Sequence, residues 1–209
     1  MRRALLIFGV CLLAAAWFGP LPNLAERMFA AHMTMHMVVV ALASPLLAFG
    51  MSGGKIDPVR KFPVLFAPIP ASLLELIVIW AWHAPTLHHA ARHTAAGFLA
   101  EQGTFLFCGL LVWLSVFGGE ARGTGNRNGA GIAALLLTSM HMTLLGALLA
   151  LTPRPLYAHA DIATNLSALA DQQLGGAIMI VVGGFSYLAG GLWLTIGLLR
   201  LAPIKEAKA

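Results

Sequence analysis

Six runs of apolar residues, separated by short polar segments, dominate the pattern of this chain. The runs cover residues 4–18, 30–49, 62–82, 98–117, 132–151 and 174–199. Most are about as long as the roughly 20 residues that an α-helix needs to cross the hydrocarbon core of a bilayer. Apolar residues make up 59% of the chain and charged residues only 10%, whereas soluble domains hold about 25% charged residues. The pattern therefore predicts an all-α, polytopic membrane bundle of about six transmembrane helices.

The loops between six such helices leave no room for a separate soluble domain. We therefore expect residues 1–209 to form a single transmembrane helical domain. The first run, residues 4–18, is the weakest of the six. Its basic start, short apolar stretch and three consecutive alanines are also typical of a cleaved secretory leader. Because the apolar stretch continues to Pro20, we favour a retained helix over a leader.

Basic residues are distributed unevenly between the two sides of this predicted bundle. One side holds ten: Arg2, Arg3, Lys55, Arg60, Lys61, Arg122, Arg127, Arg200, Lys205 and Lys208. The other side holds Arg27, Arg92 and Arg154. Because Lys and Arg accumulate in cytoplasmic loops, both termini are predicted to be cytoplasmic. The net charge of +5 does not indicate a nucleic-acid partner, since no basic stripe is interleaved with aromatic residues.

With this orientation, most of the histidines lie near the outer face of the membrane. Seven of the eight are assigned there: His32, His36, His83, His88, His89, His93 and His159. His141 lies roughly midway through the fifth run, and Asp161 follows His159 in an outer loop. The segment that carries His88, His89 and His93 is also predicted to be a loop. This asymmetry is the main functional clue in the sequence.

The densest candidate site is a pair of histidines interleaved with methionines at the start of the second run. His32 and His36 are four residues apart, so they share one face of a helix. Met33 and Met37 form a second such pair beside that face. Imidazole binds copper or zinc, and a thioether favours copper(I). The alternative is that the histidines are interfacial and the methionines only fill the core.

His83 is predicted to lie at a similar depth, where the third run ends. Trp80 and Trp82 suit the aromatic belt at a membrane interface, and Pro85 prevents the helix from continuing. His83 therefore belongs at the outer mouth of the bundle.

Further polar residues lie within or at the edge of the apolar runs. His141 and Glu75 are costly in a bilayer and usually face the bundle interior. For His141 the alternative to ligation or proton transfer is a neutral imidazole hydrogen-bonded to another helix. Asp171 is a candidate N-cap of the last run, whereas consecutive amides at Gln172 and Gln173 indicate a polar site. No phosphate-binding glycine loop, HExxH motif or activated nucleophile nominates an enzyme.

The order of several motifs resembles the multi-span CtaG-type cytochrome c oxidase assembly factors of bacteria, over residues 28–190. The motifs are His32-Met33 with His36-Met37, Ser44-Pro45-Leu46-Leu47, Trp82-His83-Ala84-Pro85, His141-Met142 with Leu145-Gly146, Pro155-Leu156-Tyr157 and Asp171-Gln172-Gln173-Leu174-Gly175-Gly176. The histidine pair and the Asp-Gln-Gln-Leu-Gly-Gly run are the specific parts. Members of that family often carry a histidine early in the fourth run, where this chain has Gln102.

The resemblance implies a multi-pass protein of the bacterial plasma membrane that helps to mature a haem–copper oxidase and handles its copper. The implied partners are oxidase subunits, membrane lipid and an upstream copper donor. We expect copper, as copper(I), to be held at the outer (periplasmic) face and handed over. The expected ligands are His32, His36, His83 and His141. The expected supporting residues are Asp171, Gln172, Glu75, Met33 and Met37.

Two other functions remain open at this point. A b-type haem or quinone-linked electron-transfer protein would need axial ligands at matching depth on facing helices, which His36 and His83 satisfy. A structural partner of the oxidase would need no metal.

Overall fold

The computed structural model describes residues 1–119, 125–157 and 166–201, and over these residues the chain is helical without strands. The helices are α1 (Arg2–Phe18), α2 (Leu21–Ala25), α3 (Phe29–Met51), α4 (Pro68–Trp82), α5 (Pro85–His93), α6 (Ala95–Phe117), α7 (Gly125–Leu151) and α8 (Ala168–Leu201). A 3₁₀ turn at Pro58–Arg60 lies between α3 and α4. The predicted all-α class is therefore confirmed.

Four of these helices are long and apolar enough to cross a membrane: Phe29–Met51, Ala95–Phe117, Arg127–Leu151 and Ala168–Arg200. The chain is thus a membrane protein. Two further helices correspond to predicted spans but are shorter, at 17 residues for α1 and 15 for α4. The count of six and the cytoplasmic side of the termini stay predictions.

The functional interest lies at one end of the bundle. There α3, α6 and α8 begin, whereas α4 and α7 end. The Asp171 side chain of α8 bonds the first backbone amides of α3, and the Tyr157 hydroxyl donates to the His83 carbonyl just after α4. We call this the histidine end, because His32, His83 and the helix α5 lie there.

A close approach of backbones joins α7 to α8, which form the most extensive helix pair. A Cβ atom added at Gly176 would lie 2.6 Å from the Gly146 carbonyl oxygen and 2.7 Å from the Ala150 amide nitrogen. Small residues let membrane helices approach in this way. Gly176 thus allows the close approach of α7 and α8, whereas Gly184 and Gly191 face open space.

The middle of α3, Val38–Ala43, is π-helical. Pro45 lacks an amide hydrogen, so the carbonyl four residues earlier, at Ala41, needs another donor. The Ser186 hydroxyl of α8 supplies it at 2.6 Å, and the Trp113 indole of α6 donates to the Val40 carbonyl at 3.0 Å. Side chains from two neighbouring helices therefore stabilise the irregular segment one turn below His36.

The prediction of an outer loop at residues 88–93 is wrong, because this segment forms the short helix α5. Pro85 occupies the first turn of α5, where its missing amide hydrogen costs nothing. Extended backbone at Ala84 separates α5 from α4. One face of α5 buries His88 and Ala91, and the helix packs against α6. His159 and Asp161 lie outside the described residues.

Candidate metal centre

Three buried side chains converge at the histidine end: His32 and His36 of α3 and Glu101 of α6. The Nε2 atoms of His32 and His36 lie 3.2 Å and 3.5 Å from the same carboxylate oxygen, Oε1 of Glu101. One ligand atom from each residue lies within 4.8 Å of the other two. Their exposed fractions are only 2%, 1% and 1%. The i, i+4 spacing on α3 thus presents two imidazoles to one carboxylate on the facing helix.

The ring nitrogens of this group lack the hydrogen bonds that buried polar atoms normally have. Nε2 of His32 and both ring nitrogens of His36 have no hydrogen-bond partner within the described part of the chain. Buried polar groups of this kind need a partner, which a shared cation supplies. When two ligand atoms each lie about 2.1 Å from one ion and form a tetrahedral angle at it, they are about 3.4 Å apart. The Glu101 distances match that separation, so these residues fit a metal ion.

Glu101 is held in place by a chain of hydrogen bonds. Its second oxygen, Oε2, accepts a hydrogen bond from the Gln102 amide at 3.2 Å. The Gln102 side-chain oxygen accepts one from the Trp17 indole of α1 at 3.0 Å. This arrangement fixes one carboxylate oxygen and leaves Oε1 directed at the imidazoles. Such outer partners orient the residues that bind a metal.

His83 lies beside the group, just past the end of α4. Its ring centroid is 6.0 Å from that of His36. Its Nδ1 atom donates to the Ile79 carbonyl at 2.7 Å, which leaves Nε2 as the nitrogen with a free lone pair. That Nε2 atom is buried and has no hydrogen-bond partner among the described residues. His83 is therefore a candidate fourth ligand, although it lies outside the tight group of three.

Aromatic rings pack around the histidines. The Phe105 ring lies 4.4 Å from His36, and the His88 ring of α5 lies 5.0 Å from His32. Tyr157 contacts His88 at 4.2 Å and stacks on Phe29 at 4.9 Å. Burial raises the pKa of the Tyr157 phenol to about 12, so the hydroxyl stays a donor to the His83 carbonyl. These rings pack against one side of the histidine group.

Asp171 positions α3 from a different helix. Its two carboxylate oxygens accept hydrogen bonds from the backbone amides of Phe29 at 2.6 Å and Ala30 at 3.0 Å. The N-cap residue of α3, Met28, offers no side-chain cap of its own. The expectation that Asp171 caps its own helix is wrong, because α8 already begins at Ala168. Asp171 caps α3 instead, one turn before His32.

Gln172 connects the same end of α8 to α7. Its side-chain oxygen accepts a hydrogen bond from the Leu156 amide at 2.7 Å, and its amide group donates to the Leu149 carbonyl at 3.2 Å. These bonds satisfy backbone groups where α7 ends. Gln172 thus ties Leu156, the neighbour of Tyr157, and the end of α7 to the start of α8.

Met33 and Met37 are buried but face α8. A Cβ atom added at Gly175 would lie 2.9 Å from Cγ of Met33, and one at Gly183 would lie 3.9 Å from Sδ of Met37. They pack in the core between α3 and α8. Both side chains therefore contribute to the packing of α3 on α8.

His141 and Glu75 lie apart from the three converging residues. His141 is buried within α7, and neither of its ring nitrogens has a hydrogen-bond partner within the described residues. Glu75 accepts hydrogen bonds from Thr138 at 3.0 Å and Tyr187 at 3.4 Å. Ser72 extends this network through Thr138 at 2.7 Å. The network links α4, α7 and α8 in the middle of the bundle.

Glu101 is the member of this buried group that the sequence did not nominate as a ligand. The sequence did hold a signal for Glu101, namely a carboxylate next to an amide inside an apolar run. Both side chains cost free energy in a bilayer unless they have polar partners. The helix setting turns Glu101, not Gln102, towards His32 and His36.

Fold and site together define a helical membrane protein that has a buried histidine–carboxylate group at one end of its bundle. The chain matches the family model Caa3_CtaG, described as cytochrome c oxidase caa3 assembly factor, over residues 1–201. It belongs to that family, which confirms the resemblance seen in the motifs. No curated protein and no solved structure gives a significant match.

Proposed function

We propose that this protein binds copper between His32, His36 and Glu101 and passes it to a haem–copper oxidase during assembly. The observation that carries the proposal is the convergence of two buried imidazole nitrogens on one carboxylate oxygen. The oxidase that gives the family its name supplies the biological context. The role is non-catalytic, since the protein holds and releases its cargo unchanged.

The donor set favours copper among the metals that a cell offers to such a site. Nitrogen and oxygen donors bind copper(II) more tightly than the other divalent first-row metals, and imidazole is also a ligand for copper(I). The carboxylate offsets the charge of a cation that would otherwise be buried alone. The earlier preference for copper(I) rested on Met33 and Met37, whose packing against α8 gives no support for thioether ligation. Titration with copper(I) and with copper(II) therefore decides which oxidation state the site binds.

Release of copper to a partner requires a site in which at least one ligand can be replaced. Three donors with His83 beside them give a site in which one ligand is exchanged without dismantling the others. A donor group of an oxidase subunit would enter as a replacement ligand. We place this exchange at the outer face of the bacterial plasma membrane, because the sequence bias of Lys and Arg assigns the histidine end to that side.

Titration of the purified protein with copper(I) under anaerobic conditions tests this proposal. We expect tight binding that is lost in a His32→Ala/His36→Ala variant. His141→Ala is the matched control, because it removes a buried histidine of the same bundle that lies outside the group. It should keep the copper affinity. A second titration, with copper(II) and with zinc(II), ranks the affinities of the site for these metals.

A further readout is the maturation of the oxidase in the membrane. Cells that carry the double variant should hold normal amounts of this protein but less active oxidase. A collapse in the abundance of the variant would show that His32 and His36 are structural. A Soret band in the visible spectrum of the purified protein would contradict the copper proposal and favour the haem alternative.

A further inference from the structure

A cavity of about 350 Å³ lies at the histidine end between α2, α5 and α6. Its walls include Glu26, Arg92, His93 and Phe98, and His32 also lines it. His32 belongs to the buried group, whereas Glu26 and His93 are exposed. The cavity thus connects the surface of the protein with one ligand of the proposed copper centre.

Two exposed histidines lie on the helix that forms this wall. His89 and His93 are four residues apart on α5, and their ring centroids are 4.1 Å apart. Two imidazoles at this spacing on one helical face form a recurrent metal-binding arrangement. His93 belongs both to this pair and to the lining of the cavity.

Charges along the cavity wall include groups of both signs. Arg92 donates a hydrogen bond to the Glu26 carbonyl, which ties α5 to the segment after α2. Burial lowers the pKa of the Arg92 guanidinium, although Asp171, Glu101 and Glu26 act in the opposite direction. The guanidinium of Arg92 therefore lies within electrostatic range of three carboxylates, of which Glu26 also lines the cavity.

We propose that His89 and His93 form a second, exposed copper site, which loads the buried centre through this cavity. The inference rests on the proposed copper binding at His32, His36 and Glu101. The exposed pair captures copper from an external donor, and His93 delivers it to the cavity that ends at His32. Ligand exchange alone moves the ion, with no change of oxidation state. The ion held at the mouth has an effective concentration far above that in solution.

Stoichiometry gives the first test, with copper(I) supplied by a coloured bicinchoninate chelator. We expect two copper ions in the native protein, one in His89→Gln/His93→Gln and one in His32→Gln/His36→Gln. One ion in the native protein, still bound by His89→Gln/His93→Gln, would overturn the exposed site alone. If the His32→Gln/His36→Gln variant binds as much copper as the native protein, the proposed function is contradicted instead. The two failures are therefore distinguishable.

Rates of copper transfer from the chelator, measured by stopped flow, give the second test. In His89→Gln/His93→Gln the buried centre should fill at least about tenfold more slowly, because the local supply at the mouth is lost. Its final occupancy should not change. Filling at the native rate would overturn the loading role.

A substitution that narrows the cavity tests the route itself. Ala95 lines the cavity. The next residue, Ala96, is also exposed on α6 but is not part of the cavity lining. Ala95→Trp should slow the filling of the buried centre with no loss of copper at equilibrium. Ala96→Trp is the matched control and should load at the native rate. Equal rates in both variants would show that copper reaches His32 by another path.

Discussion

Glu101 places one carboxylate oxygen within 3.5 Å of two imidazole nitrogens inside an apolar bundle. Glu101→Gln keeps the size of the side chain but removes its negative charge. We expect the copper affinity to fall by at least the roughly 10- to 100-fold that loss of an outer ligand partner costs. Competition against a chelator of known affinity measures this change.

Glu75→Gln is the control for that prediction, because Glu75 is another buried carboxylate and has a side-chain network of its own. It should leave the copper affinity unchanged. An equal loss in both variants would mean that buried charge in general, rather than the Glu101 contact, sets the affinity.

Asp171 stabilises α3 through two backbone amides that no local side chain caps. Asp171→Ala leaves these buried donors without their partners, so the free energy of unfolding should fall by about 1–3 kcal/mol. Copper affinity should fall with it, since the first turn of α3 carries His32. Unfolding in mixed micelles measures the first effect and chelator competition the second.

Ser167→Ala is the comparison for Asp171. The Ser167 hydroxyl accepts a hydrogen bond from the Ala170 amide at an exposed helix start. Water replaces that bond, so the loss of stability should stay near or below about 1 kcal/mol. Equal losses would argue against a special role of the contact between α8 and α3.

At the scale of elements, the backbone contact between α7 and α8 fixes the long helix pair. Gly176→Ala would place a Cβ atom 2.6 Å from the Gly146 carbonyl oxygen, which is backbone and does not move easily. We expect a loss of about 1–3 kcal/mol in the free energy of unfolding from overpacking. Gly191→Ala meets nothing within 4 Å, so its stability should be unchanged or raised by less than about 1 kcal/mol. Thermal melting in detergent compares the two variants, and equal melting temperatures would contradict the close contact.

At the scale of the whole molecule, the sequence makes a prediction that the helix geometry leaves open. The ten-to-three bias of basic residues predicts that both ends of the chain lie in the cytoplasm and the histidine end lies outside. A fluorescent protein fused after Ala209 should therefore fluoresce, since it folds in the cytoplasm. Alkaline phosphatase fused there should be inactive. The reverse pattern would move the histidine end to the cytoplasmic side and exclude copper delivery at the outer face.

The sequence by itself determined the helical membrane class and several site positions. Hydropathy and helical periodicity are local properties, so they located the apolar helices and put His32 and His36 on one face. Pro85 likewise marked the end of α4 next to His83, because proline cannot continue a helix. Motif order was enough to identify the family.

The tertiary structure alone decided which residues meet. The rotation of each helix about its axis depends on the packing of all its neighbours, and no local pattern encodes it. That rotation turns Glu101 towards the histidines and turns Met33 and Met37 towards α8. The capping of α3 by Asp171 joins residues 142 positions apart in the chain. Such pairings exist only when helices distant in sequence pack together, and they bring His32, His36 and Glu101 into one group.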